Sequence, residues 1–472
     1  MSKKLKIYLI ILFGIFIFPV LILTYSLNKD QEGMKEENPI NSSLDTIQVP
    51  AQNSRILVVA PHNDDEAIAA SQFITRSIMN GCTVKIIMVT NGDDFKRAFS
   101  SIWKLFRKPS FLDYIHFGYK RQNETIDAME SIGVKRSNIY FLGYPDGGIA
   151  RLWWKNFYSV YTSQLTKASK SPYNDSYTKN VSYTGNNLAK DMQKIIGDFK
   201  PDYIVYPHPD DNHPDHKAVN FFVQYALAES GFKPTKELLY LVHRKEFPFP
   251  REYKPELYLA PPHSLMNKGT KWYSFSISEK EELQKLEVLQ KYKSQYKYLE
   301  YLFKAVIRKN ELFGIDPDLK LKKNMLKNDD GILPTNGNML ISDPVNDYIS
   351  HFLSKKADII GVYGEISANN NLNMFLETKG NIENKPTYHL YMVIFKGSAV
   401  SHIDVAVNNG SVVSNCLEGT AIKGVECSVK GHFIHLIIPN EIYTGYTSML
   451  CSGKASMGRI TVDITALKLI QP

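Results

Sequence analysis

Arg55-Ile56-Leu57-Val58-Val59-Ala60-Pro61-His62-Asn63-Asp64-Asp65-Glu66 decides how the rest of the chain reads. Residues 56–60 are a short unbroken apolar run, the pattern of a strand buried on both faces in a parallel sheet covered by helices. From Asp64 to Asn80 the spacing turns helical and stops at Gly81. A histidine, two aspartates and a glutamate crowd the turn between the two. In an open α/β sheet ligands bind outside the carboxyl ends of the strands. One aspartate there would serve as a helix N-cap. Four ionisable residues in succession ask for more than capping.

Working outward, Val84 to Val89 reads as a second buried strand and Gln122 to Ile132 as a helix ending at Gly133. Asn138 to Leu142 is strand-like, Leu188 to Phe199 helical, Tyr203 to Tyr206 a strand, Asp215 to Glu229 a helix and Leu238 to Val242 a strand. Strands alternating with helices imply a doubly wound, Rossmann-like, mostly parallel α/β sheet. Arg107 to His116 and Tyr158 to Gly185 interrupt the alternation as polar and aromatic insertions. A long charged helical pattern, Glu279 to Arg308, closes this region, which spans residues 54–325. Asn, Asp, Gly and Pro then mark a linker over 326–346. From 347 to 472 the pattern becomes all-β and sandwich-like, with Tyr388 to Phe395, Ile403 to Val407, Phe433 to Ile438 and Ile460 to Leu469 the clearest strands.

A second cluster repeats the logic of the first. Tyr206-Pro207-His208-Pro209-Asp210-Asp211-Asn212-His213-Pro214-Asp215-His216 also follows a buried strand and opens a helix. His213 and His216 stand three apart, so one helical turn aims both at one point. His62, Asp65 and one or both late histidines make a His/His/carboxylate set that suits a catalytic zinc with one open position. His208 reads as a loop residue, and Asp210 and Asp211 read as turn residues.

The chain has 472 residues, 43% hydrophobic and 22% charged, with a formal charge of +8. That is the balance of a globular protein, and no dense Lys/Arg run points to nucleic acid. Ile7 to Leu27 is an unbroken apolar stretch of bilayer length. Lys3, Lys4 and Lys6 precede it, which keeps the N-terminus cytoplasmic and exports the remainder. No small-x-small cleavage pattern follows, so residues 1–28 read as an uncleaved single-pass signal anchor and 29–53 as a polar tether. The expected place of the catalytic region is therefore the extracytoplasmic side of the cell membrane. Four cysteines are present; export would allow two of Cys416, Cys427 and Cys451 to pair.

These motifs resemble the PIG-L/LmbE family of zinc-dependent N-acetylglucosaminyl deacetylases, whose first motif reads His-Pro-Asp-Asp-Glu and whose second reads His-Pro-Asp-His or similar. Thr90-Asn91-Gly92-Asp93, Arg121-Gln122-Asn123-Glu124, Phe141-Leu142-Gly143-Tyr144-Pro145-Asp146-Gly147 and Arg308-Lys309-Asn310-Glu311-Leu312-Phe313 agree with it. The resemblance runs from about residue 54 to 315 and leaves out the C-terminal region. It implies one Zn2+ held by His62, Asp65 and His216, with Asp64 as general base. It also implies His213 as an imidazolium at the developing oxyanion and Asp215 orienting His213 or a neighbouring group. Arg121 would grip the substrate, and Asp93 or Asp146 would meet sugar hydroxyls. The implied reaction is removal of acetyl from an N-acetylated carbohydrate. Asn63 departs from the usual proline, and Ala69-Ala70 from the usual paired glycines, which puts the packing of the first helix in question.

Two other classes use related features. Non-haem iron oxygenases also hold metal with two histidines and a carboxylate, but on β-barrels and with His-x-Asp spacing, where this chain has His-x-x-Asp. A non-catalytic, membrane-anchored glycan-binding surface protein would suit the β-rich region, the anchor and the 28 tyrosines. The complete set of reacting groups argues against it. Glycan or partner binding by the C-terminal β-region stays open beside its use as a spacer.

Overall fold

The computed structural model describes residues 44–96, 98–99, 108–323, 334, 338–347, 357–417, 420–458 and 460–472. The apolar segment Ile7 to Leu27, and with it the anchor expectation, lies outside the described residues. Among those residues no helix is long and apolar enough to cross a membrane.

The region that opens the fold alternates as expected. In order come β1 (Asp45–Thr46), β2 (Arg55–Ala60), α1 (Asp65–Met79), β3 (Thr83–Thr90), α2 (Phe111–Glu130), β4 (Ile139–Tyr144), α3 (Ile149–Trp154) and α4 (Gly185–Phe199). Then follow β5 (Tyr203–Pro207), α5 (Pro214–Ser230), β6 (Lys236–Tyr240), β7 (Lys271–Ser276), α6 (Glu279–Gln290), α7 (Lys293–Ala305) and β8 (Asn310–Ile315). The sheet order is β1-β7-β8-β6-β5-β2-β3-β4. β6, β5, β2, β3 and β4 are parallel, and β8 and β7 extend them with antiparallel pairings. The apolar run in β2 explains the two helical layers. Leu57 and Val59 bury against α4 and α5, while Ile56, Val58 and Ala60 bury against α1 and α6. Successive side chains of a strand point to opposite faces, so a run with no polar member needs a cover on both sides.

Four details differ from the sequence expectation. α2 begins at Phe111, inside the stretch read as an insertion; Ser110 and Asp113 form a capping box that starts it early, and its Phe117 packs on Phe99. The pattern Glu279 to Arg308 is two helices, because Tyr292 turns inward at the break and its hydroxyl donates to Glu66 at 2.5 Å. Asp45 and Thr46, read as tether, pair with β7, and Ile47 behind them is buried. Ile460 to Leu469 is two strands, Ile460–Ile464 and Lys468–Gln471, parted where the Thr465 hydroxyl accepts from the Gly453 N–H.

Beyond Ile315 the chain is β-rich and forms two sheets around a shared core. Met339–Ser342, read as linker, is a strand paired with Ile359–Ile366. The second sheet centres on Thr387–Lys396, between Ala399–Asn408 and Ser448–Met457. Val393, Phe395, Leu450 and Leu467 of this region bury in the same cluster as Phe222, Val223 and Ala226 of α5. Asp45–Pro472 is accordingly one compact unit. Cys427 and Cys451 are free thiols.

Candidate metal centre

β2 ends at Ala60 and β5 at Pro207, adjacent strands of the sheet. Their carboxyl ends bring the two clusters together. His62 Nδ1 lies 3.3 Å from Asp65 Oδ2 and 3.3 Å from His216 Nε2. His216 Nε2 lies 3.1 Å from Asp65 Oδ2. Donors about 2.0–2.2 Å from a tetrahedral ion stand about 3.3–3.6 Å apart, so this triangle has the size and donor chemistry of a zinc site. Asp65 Oδ1 is buried without a hydrogen-bond partner, an orphaned acceptor that a cation would satisfy. The two nitrogens and one oxygen fit the metal that the sequence implies.

Each histidine of the triangle has a carboxylate within ion-pair distance of its other ring nitrogen, the place of the partner that metal-bound histidines use. His62 Nε2 is 3.2 Å from Asp146 Oδ1 and 3.5 Å from Asp215 Oδ2. His216 Nδ1 is 3.4 Å from Asp211 Oδ2. Burial works against a charge on His216, but Asp65 and Asp211 override it and lift the imidazole to about 9. At His62, too, burial is outweighed, by Asp146 first and then Asp215 and Asp65. Asp65 stays well below the usual carboxylate range because His216 and His62 outweigh its burial.

Asp64 occupies the N-cap of α1 at φ 128, a conformation costly for any residue with a Cβ. Three contacts hold it there. Its N–H donates to Glu66 at 3.1 Å; Arg121 Nη2 donates to its Oδ2 at 3.4 Å and to the Asn63 carbonyl at 2.6 Å. Arg121 Nη1 donates to the Gly92 carbonyl at 2.9 Å. Gly92 has φ +61, and a Cβ on it would fall 1.8 Å from Arg121 Nη1, so only glycine admits the guanidinium. Burial pushes the Asp64 carboxyl well above its usual value, with Arg121 pulling the other way. Asn63, the unusual letter of the first motif, donates to Thr125 at 2.9 Å. Ala70 breaks α1 with φ −145. The N–H groups freed at Gln72 and Phe73 donate to Glu311 at 3.0 and 2.8 Å, and Lys285 balances its charge at 2.8 Å. The Ala69-Ala70 departure therefore leaves the helix broken and its break capped.

The remaining expected residues separate. His213 is the N-cap of α5, its Nδ1 accepting from the Asp215 N–H at 3.2 Å. Burial and the charges of His62 and His216 lower it to about 4. An accepting Nδ1 carries no proton, so the geometry presents His213 as a neutral ring with its proton on Nε2, where an imidazolium was expected. Asp215 turns away from that ring: it accepts from Gly147 N at 2.7 Å and Ile149 N at 3.1 Å and faces His62. Asp146 lines the cavity over the centre; Asp93 does not. Asp93 is buried, accepts from the Tyr173 hydroxyl at 2.5 Å, and is pushed to about 7 by burial and by Asp146. The cavity holds roughly 460 Å³. His62, Asp64, Arg121, Asp146, His213 and His243 form its polar side, and Ile68, Phe95, Leu299 and Leu302 its apolar side.

Three residues of the site were not singled out from the sequence. Asp211, read as a turn residue, stands behind His216. Asp94 lines the cavity, and so does His243, whose ring lies 4.8 Å from that of His216. Asp94 and His243 both come just past the carboxyl end of a parallel strand, the same position that marked the two clusters.

Residues 57–227 match the PIG-L family, described as GlcNAc-PI de-N-acetylase, and form a PIG-L family domain. No curated protein matches the chain. Among solved structures, similarity is found to a deacetylase triple mutant of the teicoplanin biosynthetic pathway. It is 18% identical with TM-score 0.36, covering 56% of this chain and 99% of that one. The N,N'-diacetylchitobiose deacetylase from Pyrococcus horikoshii is 18% identical with TM-score 0.32, covering 53% and 75%. The 4-carboxy-2-hydroxymuconate hydratase from Pseudomonas putida is 14% identical with TM-score 0.33, covering 58% and 100%.

Proposed function

We propose that this protein is a zinc-dependent hydrolase that removes the acetyl group from an N-acetylated sugar of the N-acetylglucosamine type. The observation that carries the reading is the triangle of His62 Nδ1, Asp65 Oδ2 and His216 Nε2, 3.1–3.3 Å on a side, of which His62 reaches the cavity that Asp64 also lines. The PIG-L family match over 57–227 supports it. A metal held there would polarise an amide carbonyl and lower the pKa of a bound water towards about 7.

The chain's own groups then have separate tasks. Asp64 accepts the proton of the attacking water, and its raised pKa suits a base that must later give the proton to the leaving amine. Arg121 acts on Asp64: with two of its nitrogens bound to Gly92, Asn63 and Asp64, it holds the base in its strained position. His213 donates from Nε2 to the oxygen that gains charge at the acetyl carbon. Asp146 and Asp215 orient His62, and Asp211 orients His216. Asp94 and Asp146 offer acceptors to sugar hydroxyls, while Ile68, Phe95, Leu299 and Leu302 exclude water from one wall.

The Ile7 to Leu27 segment and its preceding lysines favour a membrane-anchored enzyme acting outside the cytoplasm. Its substrate class there is a glycan, glycolipid or glycoconjugate. The test is acetate release by the full chain from a panel of N-acetylated sugars and polymers, with zinc and with chelator. Release that survives complete zinc removal, or no release from any member, would overturn the proposal.

A further inference from the structure

A second group of carboxylates lies where the C-terminal sheets meet the loop before α5. Asp343 follows the strand Met339–Ser342, Asp347 comes four residues later, and Asp463 belongs to the strand Ile460–Ile464. One carboxylate oxygen from each lies within 4.8 Å of the other two. Acidic clusters on a surface need no ligand, but this one is enclosed. Asp343 is 1% exposed, and neither of its carboxylate oxygens has a hydrogen-bond partner. Asp347 Oδ1 and the neighbouring Asp210 Oδ1 are buried and unpartnered as well. Asp463 is fixed by backbone donors, its Oδ2 accepting from Ile359 N at 2.7 Å and its Oδ1 from Ile464 N at 2.8 Å. Three cations stand near, each donating to a neutral oxygen. Lys268 Nζ donates to the Asp343 carbonyl at 2.8 Å. Lys217 Nζ donates to the Ile464 carbonyl at 2.8 Å, and Arg244 donates to the Asp210 carbonyl and the Ser264 hydroxyl. Burial first, then nearby carboxylates, raise all three carboxyls against the pull of Lys217: Asp343 by Asp347 and Asp463, Asp347 to about 6 by Asp210 and Asp358, and Asp463 to about 7 by Asp347 and Asp358.

We infer that Asp343, Asp347 and Asp463 form a second metal site, for a hard divalent cation of the calcium type, separate from the catalytic centre. Among the described residues the donor set is oxygen alone, with no histidine or cysteine, which selects calcium or magnesium over zinc. Calcium suits it better, because three carboxylates from two segments, with oxygens up to 4.8 Å apart, meet the loose geometry calcium accepts better than the strict octahedron of magnesium. The neighbouring cavity, roughly 290 Å³, is also lined by Asp210, Asp211 and His213. A cation here would also offset the charge of Asp210 in the loop that presents the second cluster, which raises Asp343 and Asp347, and so would favour the packing of that loop against the β-rich region.

The test is thermal unfolding and isothermal titration calorimetry of the full, zinc-loaded chain with CaCl2, and with MgCl2 for comparison. Millimolar CaCl2 should raise Tm by about 2–4 °C, with one calcium bound per chain. His216→Ala should keep that rise. Asp343→Asn should lose it while being no less stable than wild type without calcium, since it removes repulsion. Asp347→Asn, at a less buried position, should lose it too and serves if Asp343→Asn does not fold. Absence of binding heat and of a Tm shift in the wild type would overturn the inference, as would a shift retained in both Asn variants or lost in His216→Ala.

Discussion

Asp211→Asn keeps the shape of the side chain and removes its charge, and the structure sets out what that costs. Oδ2 lies 3.4 Å from His216 Nδ1 and accepts from Val242 N at 3.0 Å and His243 N at 2.9 Å. Oδ1 accepts from His213 N at 2.9 Å. An amide has one acceptor oxygen for these two positions. Whichever way it turns, its NH2 faces a buried backbone N–H, at a cost of about 1–3 kcal/mol for the donor left unpaired. His216 also loses the negative charge that faces its Nδ1 and favours a proton there, leaving Nε2 for metal. Loss of such a partner weakens metal binding about 10–100-fold, or about 1.4–2.8 kcal/mol at 1.4 per tenfold. The assay is competition for zinc against a chromophoric chelator, with a denaturant melt alongside. Asp211→Asn should bind zinc at least about tenfold more weakly and unfold at lower denaturant. Zinc affinity within a factor of about two of wild type would mean that Asp211 only caps the loop, and the argument from His216 would fail.

Asp64→Ala should retain zinc and lose turnover by at least about 10²-fold, the usual contribution of a general base; near-normal turnover, or protein purified without metal, would sink the assignment. Gly92→Ala puts a Cβ 1.8 Å from Arg121 Nη1 at a φ of +61, so it should destabilise the chain by about 2–4 kcal/mol in urea titration and slow turnover. An unchanged midpoint would show that Arg121 is free to move. Glu311→Ala strips the buried Lys285 of its partner and leaves the N–H groups of Gln72 and Phe73 unpaired. A loss of about 3–5 kcal/mol is expected, and a loss under 1 kcal/mol in the same titration would contradict the capped-break account of α1.

The sequence by itself determined the parallel sheet, because a five-residue apolar run such as Ile56 to Ala60 has one stable use: burial between two helical layers. It determined the two clusters as well, since both stand where a strand ends and a helix begins, and the three-residue spacings of His62 to Asp65 and His213 to His216 bring each pair onto one side of a turn. What it left undecided was every contact made across the sheet. Asp211 and Asp210 are alike as letters. Only the meeting of the loop before α5 with the backbone of Val242 and His243, past β6, sets one behind His216 and leaves the other towards the β-rich region. Asp93 and Asp94 are equally alike, and the positions of Tyr173 and the cavity decide which one faces substrate. Gly92 and Arg121 are 29 residues apart, and nothing local says that one must be small for the other to enter. Strand and helix patterns are written in neighbours along the chain. Roles at the site depend on distances of about 3 Å between residues far apart in it, and those arise only when the layers close.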